Sequence, residues 1–232
     1  AISTKEEGRP SSASYRARSA AFEAVTSWTD DVPDIRYVHC INYAFARVND
    51  TFDGVTLDNE DRLRSIVALK SGKKALKVVL SIGGWGSGGY SEMAADARKR
   101  RSFAWDCRRL VWDMGIDGID IDWELPGLSW SGHACDPSVD TENYTKLMKL
   151  LRDTLPFGEY LLTYAGYPKD MQQIEGGWRF INNMEVEPYV DWFNVMTYDM
   201  GHGKIPHNAM KCDDADWDIW NMYNQFNKKG YP

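Results

Sequence analysis

The 232-residue chain carries a formal net charge of −7, and 43% of its residues are hydrophobic. Its length fits a single α/β barrel domain. The negative charge argues against nucleic acid and anionic membranes as partners, and no apolar stretch approaches the roughly 20 residues that span a bilayer. Ten tryptophans are many for this length. They suit carbohydrate binding because sugar rings stack on indole, although core packing accounts for most tryptophans.

Residues 1–20 are rich in Ser, Ala, Arg and Glu without apolar periodicity, which predicts a disordered tail. The N-terminus lacks the apolar core of a signal peptide, and a mature secreted chain would look the same. From residue 21 onward, strand patterns alternate with helix patterns. The predicted strands are Phe22–Trp28, Tyr37–Ala46, Lys77–Gly83, Gly118–Trp123, Tyr160–Ala165 and Asp191–Tyr198. The predicted helices are Asn59–Lys70, Glu92–Met114, Glu142–Thr154, Trp178–Met184 and Asp214–Lys229. This alternation predicts a parallel sheet, either closed or open.

The most informative segment is the acidic strand pattern that ends at Glu124. Asp120, Asp122 and Glu124 alternate with Ile121 and Trp123, which is the period of a β-strand. Such a strand places three carboxyl groups on one face and apolar side chains on the other. Burying neighbouring carboxylates costs on the order of several kcal/mol unless they share protons. Because no fold needs this arrangement for stability, the segment predicts an active site.

Two other interpretations of the acidic segment remain open. One is a calcium loop, but the calcium-binding pattern requires glycine at its sixth position, where this chain has Leu125. The other is a solvated edge strand, which rarely carries Ile and Trp on its back face.

Three motif residues come at the C-terminal ends of predicted strands, where (β/α)8 barrels carry their catalytic groups. They are Trp85, Glu124 and Tyr198. The glycines at 83, 84 and 86 lack the order of a nucleotide-binding loop, and we expect them to leave space for a ligand beside the strand end.

The four cysteines show neither a CxxC pair nor zinc spacing. Cys40 lies in an apolar run, which predicts a buried core thiol. A disulfide between Cys135 and Cys212 is an open alternative, because both lie in loop-like sequence. Because the four cysteines lack zinc spacing, the sequence predicts no metal site.

Four motifs, taken together, resemble family 18 of the glycoside hydrolases, the chitinase-type (β/α)8 barrels. Asp117-x-x-Asp120-x-Asp122-x-Glu124 resembles the family signature. The stretches 81–85 (SIGGW), 42–46 (NYAFA) and 196–199 (MTYD) resemble the motifs of its third, second and sixth strands. The resemblance runs from about Val25 onward, whereas residues 1–24 match nothing in the family.

The resemblance implies a retaining, substrate-assisted mechanism. Glu124 would act as general acid, and the substrate's own N-acetyl oxygen would attack the anomeric carbon. Asp122 would bind the acetamide N–H, and Asp120 would share a proton with Asp122. Tyr198 would hold the acetamide carbonyl. Residues implied to line the sugar site are Trp85, Gly84, Phe45, Met196 and Asp199. Asp117 would be structural, and neither cofactor nor metal is implied.

We therefore expect an α/β fold of the (β/α)8 TIM-barrel type, with about six βα units present, in which residues 21–232 form an incomplete catalytic barrel. The expected activity is hydrolysis of chitin or N-acetylglucosamine oligosaccharides by a secreted or periplasmic protein. The alternatives are a lectin-like binder of chitooligosaccharide, an inactive truncated relative and an endo-β-N-acetylglucosaminidase. Without strands seven and eight, the sheet edges would be exposed, which predicts self-association and weak activity.

Overall fold

The computed structural model describes residues 35–129, 132–167, 180–199, 209–212 and 218–230, and the backbone of Ser12–Ala13. Its centre is a parallel sheet, which confirms the predicted α/β class. The strands are β1 (Ser12–Ala13), β2 (Cys40–Val48), β3 (Val55–Thr56), β4 (Lys77–Gly83), β5 (Gly118–Asp122), β6 (Leu161–Gly166) and β7 (Trp192–Val195). Their order is β1-β2-β4-β5-β6-β7, all parallel, and β3 pairs antiparallel with β2.

Helices lie between successive parallel strands from β2 to β7, as a parallel sheet requires, and one more helix follows β7. They are α1 (Glu60–Ala68), α2 (Tyr90–Ala95), α3 (Ala97–Met114), α4 (Asp140–Thr154), α5 (Asn183–Val186) and α6 (Ile219–Lys228). Among the helices of the described residues, none is both long and apolar enough to cross a membrane.

The hydrophobic core lies between the sheet and these helices. Strand β4 reads KVVLSIG and is buried from Val78 to Gly83, which is typical of a parallel strand covered on both faces. Helices α3 and α4 pack their apolar faces into this core. The buried side chains that they contribute include Phe103, Cys107, Leu110, Leu147, Met148 and Leu151.

The helix predicted at Glu92–Met114 is two helices in the structure. Asp96 takes an extended conformation between α2 and α3, and its side chain accepts hydrogen bonds from the N–H groups of Arg98 and Lys99. This N-cap starts a new helix within a continuous amphipathic pattern. The prediction of one helix was wrong because that pattern continues through the cap.

The first strand also differs from the prediction. The strand predicted at Phe22–Trp28 lies outside the described residues, and Ser12–Ala13 pairs with β2 in the structure. Two small residues carry no apolar signature, so pattern reasoning misses such a strand. The remainder of the predicted tail, residues 1–20, lies outside the described residues as well.

The cysteines are free thiols. Cys40 is fully buried, which confirms its prediction as a core residue. Burial, reinforced by the nearby Asp120 and Asp117, raises its pKa to about 12. The Cys135–Cys212 disulfide is not formed.

Candidate active site

Strand β5 shows the predicted alternation of acids and apolar residues. Ile119 and Ile121 are fully buried in the core. Asp120 and Asp122 point the other way and are only 3% and 2% exposed. The strand ends at Asp122, so Glu124 follows it as a half-buried loop residue.

Asp120 is held by side chains of three other strands, the two neighbours of β5 and the strand beyond β6. Ser81 Oγ of β4 donates to Oδ2 at 2.7 Å, and Thr163 Oγ1 of β6 donates to Oδ1 at 2.6 Å. Asn194 Nδ2 of β7 donates to Oδ1 at 3.1 Å. Hydrogen bonds to a charged group stabilise it by about 1.5–3 kcal/mol each. This arrangement favours an ionised Asp120 next to Asp122.

The close approach of β4 to β5 requires glycine. Gly83 has φ of +115°, and a Cβ there would lie 2.1 Å from the Asp122 carbonyl oxygen. The next residue, Gly84, donates its N–H to that same oxygen at 2.9 Å. The backbone of the Gly83–Gly84 turn therefore fixes the end of β5 that carries Asp122.

Phe45 and Gly84 lie against each other beside this turn. The β2–β4 register shifts between Ala44 and Ala46, which leaves Phe45 in a bulge. A Cβ on Gly84 would come within 3.0 Å of the Phe45 ring. Trp85 follows and is 62% exposed. Three of the predicted sugar-binding residues thus meet at the C-terminal ends of β2 and β4.

The residue before Glu124 is fixed by aromatic stacking. Trp123 stacks on Tyr90 with ring centroids 5.2 Å apart and planes 9° apart. The Tyr90 hydroxyl donates to the Ile82 carbonyl at 2.8 Å. Burial, together with the charges of Cys107, Asp122 and Asp120, raises the pKa of Tyr90, so this donor stays protonated. The Trp123 contact restricts where Glu124 can lie.

The remaining predicted residues follow β7 at the same edge of the sheet. Met196 is buried, and its N–H donates to the Gly166 carbonyl at the end of β6 at 2.9 Å. Tyr198 is half-buried. Asp199 is exposed and has a left-handed backbone with φ of +54°, which Asp tolerates better than most residues.

Asp117 lies apart from this group, just before β5 begins. Its carboxylate binds Lys70 Nζ at 2.7 Å and Lys77 Nζ at 3.2 Å. It also accepts the Val78 N–H at 2.9 Å. These contacts support the predicted structural role.

Sequence reasoning missed Thr163 and Asn194 as partners of Asp120. The sequence feature that could have identified them is a polar residue within each of the short strands LLTYAG and WFNV. Within the described part of the chain, no group of three or more His, Cys, Asp or Glu side chains is arranged to hold a metal ion.

Comparison with curated proteins finds related sequences. Chitinase C of Streptomyces lividans is 32% identical over 221 residues, covering 88% of this chain and 33% of that protein. Chitotriosidase-1 of Mus musculus is 31% identical over 187 residues, covering 76% of this chain and 38% of that protein. The chain thus spans between 33% and 38% of the length of these two relatives.

Solved structures share the fold, which confirms the (β/α)8 barrel type. The chitinase domain of the spore coat protein CotE from Clostridium difficile superposes with a TM-score of 0.77 at 30% identity, covering 86% of this chain and 59% of that chain. A family 18 N-acetylglucosaminidase from Paenibacillus barengoltzii superposes with a TM-score of 0.73 at 30% identity, covering 84% of this chain and 59% of that chain.

The family model described as glycosyl hydrolases family 18 matches residues 14–227. The match starts at residue 14, so the expectation that residues 1–24 match nothing in the family was wrong. It covers most of the chain and includes every motif on which the resemblance rests. The chain belongs to family 18 of the glycosyl hydrolases.

Proposed function

We propose that this protein hydrolyses β-1,4-linked N-acetylglucosamine polymers, chitin or chitooligosaccharides. Support comes from its family and from relatives named as chitinases. The observation that carries the proposal is the pair of buried acids in β5, Asp120 and Asp122, the second of which lies two residues before Glu124.

Glu124 is the proposed general acid, which protonates the glycosidic oxygen as the bond breaks. It is half-buried and follows the strand end, so a polymer lying along this edge of the sheet would reach it. The nucleophile is the acetamide oxygen of the substrate, which closes onto the anomeric carbon to give an oxazolinium ion. Water then attacks the anomeric carbon and gives a proton to the Glu124 carboxylate, which opens the ring of the ion, restores the acid and retains the configuration.

Asp122 is proposed to accept a hydrogen bond from the acetamide N–H and to stabilise the positive charge of the oxazolinium. Asp120, which also lies in β5, is proposed to share a proton with Asp122. Three neutral donors favour the ionised form of Asp120, and two adjacent carboxylates share a proton more readily than they both ionise. A proton on Asp122 can therefore pass toward Glu124 as the acetamide binds.

The remaining site residues are proposed to bind the sugar. Trp85 offers an exposed indole face for stacking, and the Phe45 ring against Gly84 forms the adjoining wall. Met196 and Asp199 line the opposite side after β7, and the Tyr198 hydroxyl would hold the acetamide carbonyl. No cofactor takes part in this scheme.

An insoluble polysaccharide is degraded where it occurs, so we propose a secreted or periplasmic location. Neither nucleic acid nor a membrane surface is a proposed partner. Self-association through the sheet edges remains a prediction that light scattering tests.

The test is turnover of a chromogenic chitobioside compared with the matching cellobioside, which lacks the acetamide. We expect release of the chromophore from the chitobioside alone, because the nucleophile belongs to the substrate. Comparable cleavage of the cellobioside would refute the mechanism. If neither is cleaved and chitooligosaccharide still quenches tryptophan fluorescence, the protein is a lectin-like binder.

A further inference from the structure

Asp140 is a buried carboxylate that the mechanism above does not use. It is the first residue of α4 and is fully buried. Ser91 Oγ donates to its Oδ1 at 2.7 Å, and the backbone N–H groups of Gly127 and Asp136 donate to its Oδ2 at 3.1 and 2.8 Å. Three donors and the N-terminal end of a helix offset the cost of burying this acid.

Two of the three donors belong to segments that follow the strands of the proposed site, and the third, Asp136, lies in the turn before α4. Gly127 lies three residues after Glu124, within the buried stretch 125–128. Ser91 is in the first turn of α2, directly after the glycine-rich loop that carries Trp85. Asp140 therefore joins the segment after β4 to the segment after β5.

A second contact from α4 acts on the other side of Glu124. Tyr144 lies one turn after Asp140 on the same helix face. Its ring packs against Trp123 with centroids 5.8 Å apart, and Trp123 stacks on Tyr90. Helix α4 thus holds the chain before Glu124 through Tyr144 and after it through Asp140.

We propose that Asp140 is a positioning residue that holds Glu124 in place for proton donation. It acts through the backbone of Gly127 and through Ser91, not on the substrate. The inference rests on the proposed function, and it adds a residue to the machinery of that site. A displacement of a catalytic group by about 1 Å can reduce a rate about 100-fold.

The test compares Asp140→Asn with Asp140→Ala. The asparagine oxygen can accept from Gly127 and Asp136 while its NH₂ group donates to the Ser91 hydroxyl, whereas alanine removes all three bonds. We expect the alanine variant to lose at least about tenfold in kcat on the chitobioside, and the asparagine variant to stay within about threefold of the wild type. KM should change little in either variant.

A control separates positioning from general destabilisation. Leu63→Ala creates a cavity at a fully buried position of α1, away from these segments. Its kcat per folded molecule should stay at the wild-type value. Equal losses in the Asn and Ala variants, or wild-type kcat in the Ala variant, would overturn the positioning role while leaving the proposed function intact.

Backbone amide exchange tests the bridge without relying on activity. In the wild type and in the Asn variant, the Gly127 N–H should exchange at least about 100-fold more slowly than the N–H of exposed Ala134, because it is hydrogen-bonded and buried. If the Ala variant does not fold, the test rests on two measurements: slow exchange of the Gly127 N–H and the kcat of the Asn variant. Fast exchange at Gly127, or a kcat of the Asn variant more than about threefold below the wild type, would overturn the proposal. A wild-type protein without turnover would instead refute the proposed function, and the positioning role with it.

Discussion

Two acids of the β5 segment are held by partners of opposite kinds. Just before the strand, Asp117 binds two lysine ammonium groups at 2.7 and 3.2 Å. In the middle of the strand, Asp120 accepts hydrogen bonds from the neutral Ser81, Thr163 and Asn194. The first acid is paired with cations, and the second is held by uncharged donors two residues before Asp122.

This difference indicates a division of roles along one strand. Lysine partners fix Asp117 for stability, and changing them should affect unfolding more than catalysis. Neutral donors orient Asp120, so changing them should affect catalysis more than unfolding. The predictions below test that division, from the largest expected effect to the smallest.

Glu124→Gln should lower kcat at least about 100-fold, because an amide cannot donate the proton that the leaving oxygen needs. Affinity for chitooligosaccharide, measured by tryptophan fluorescence, should change little. Glu142→Gln, at an exposed position of α4, serves as the matched control and should leave kcat unchanged. Comparable turnover in the Glu124 variant would remove Glu124 from the mechanism.

Thr163→Val removes one hydrogen bond to Asp120 while keeping the shape of the side chain. Losing a bond to a charged group should cost about 1.5–3 kcal/mol, which corresponds to a fall in kcat of roughly ten- to a hundredfold. Thr154→Val makes the same chemical change at the last residue of α4, where the hydroxyl donates to the Leu151 carbonyl. An equal fall in kcat in both variants would show that the Asp120 contact has no special role.

Asp117→Asn should lower the free energy of unfolding by about 1–2 kcal/mol, because it leaves two nearby lysines without their shared carboxylate. The kcat should stay within about twofold of the wild type. Asp113→Asn, an exposed acid paired with Arg109, should cost less than about 0.5 kcal/mol in urea unfolding. A large loss of kcat in the Asp117 variant would contradict the division of roles between Asp117 and Asp120.

Cys40 lies near both acids, and its titration affects stability only at alkaline pH, leaving catalysis at neutral pH unchanged. Its folded pKa of about 12 lies above the ordinary 9.0, so the folded protein keeps a proton that the unfolded chain loses. The free energy of unfolding should therefore fall between pH 9 and pH 12, with Cys40 contributing about 1.4 kcal/mol per pH unit. Cys40→Ala should make this slope shallower. Equal slopes for the wild type and the Cys40→Ala variant in urea titrations would contradict the assignment.

Regular elements could be predicted from the sequence wherever one local pattern determines them. Strand β4 matches its predicted bounds, Lys77–Gly83, because a continuous apolar run ends at glycines. Strand β7 is shorter than the prediction Asp191–Tyr198, since the apolar pattern continues past Val195 into the loop that carries Met196 and Tyr198. Local patterns thus locate strands better than they locate strand ends.

The contacts that support the candidate site could not be predicted, because they join distant positions. Thr163 and Asn194 reach Asp120 from 43 and 74 residues away, and Ser91 reaches Asp140 from 49 residues away. The alternation in β5 identifies the acids themselves, but it carries no information about which donors surround them. Those donors follow only from the order of strands in the sheet.

The most direct test of the central claim is the anomeric form of the sugar that is first released from a chitooligosaccharide. Proton NMR within the first minutes of reaction, before mutarotation, distinguishes the two anomers. Attack by the acetamide of the substrate followed by water retains the configuration, so the account predicts the β-anomer. Initial release of the α-anomer would show direct attack by water and would contradict the proposed roles of Asp120, Asp122 and Glu124.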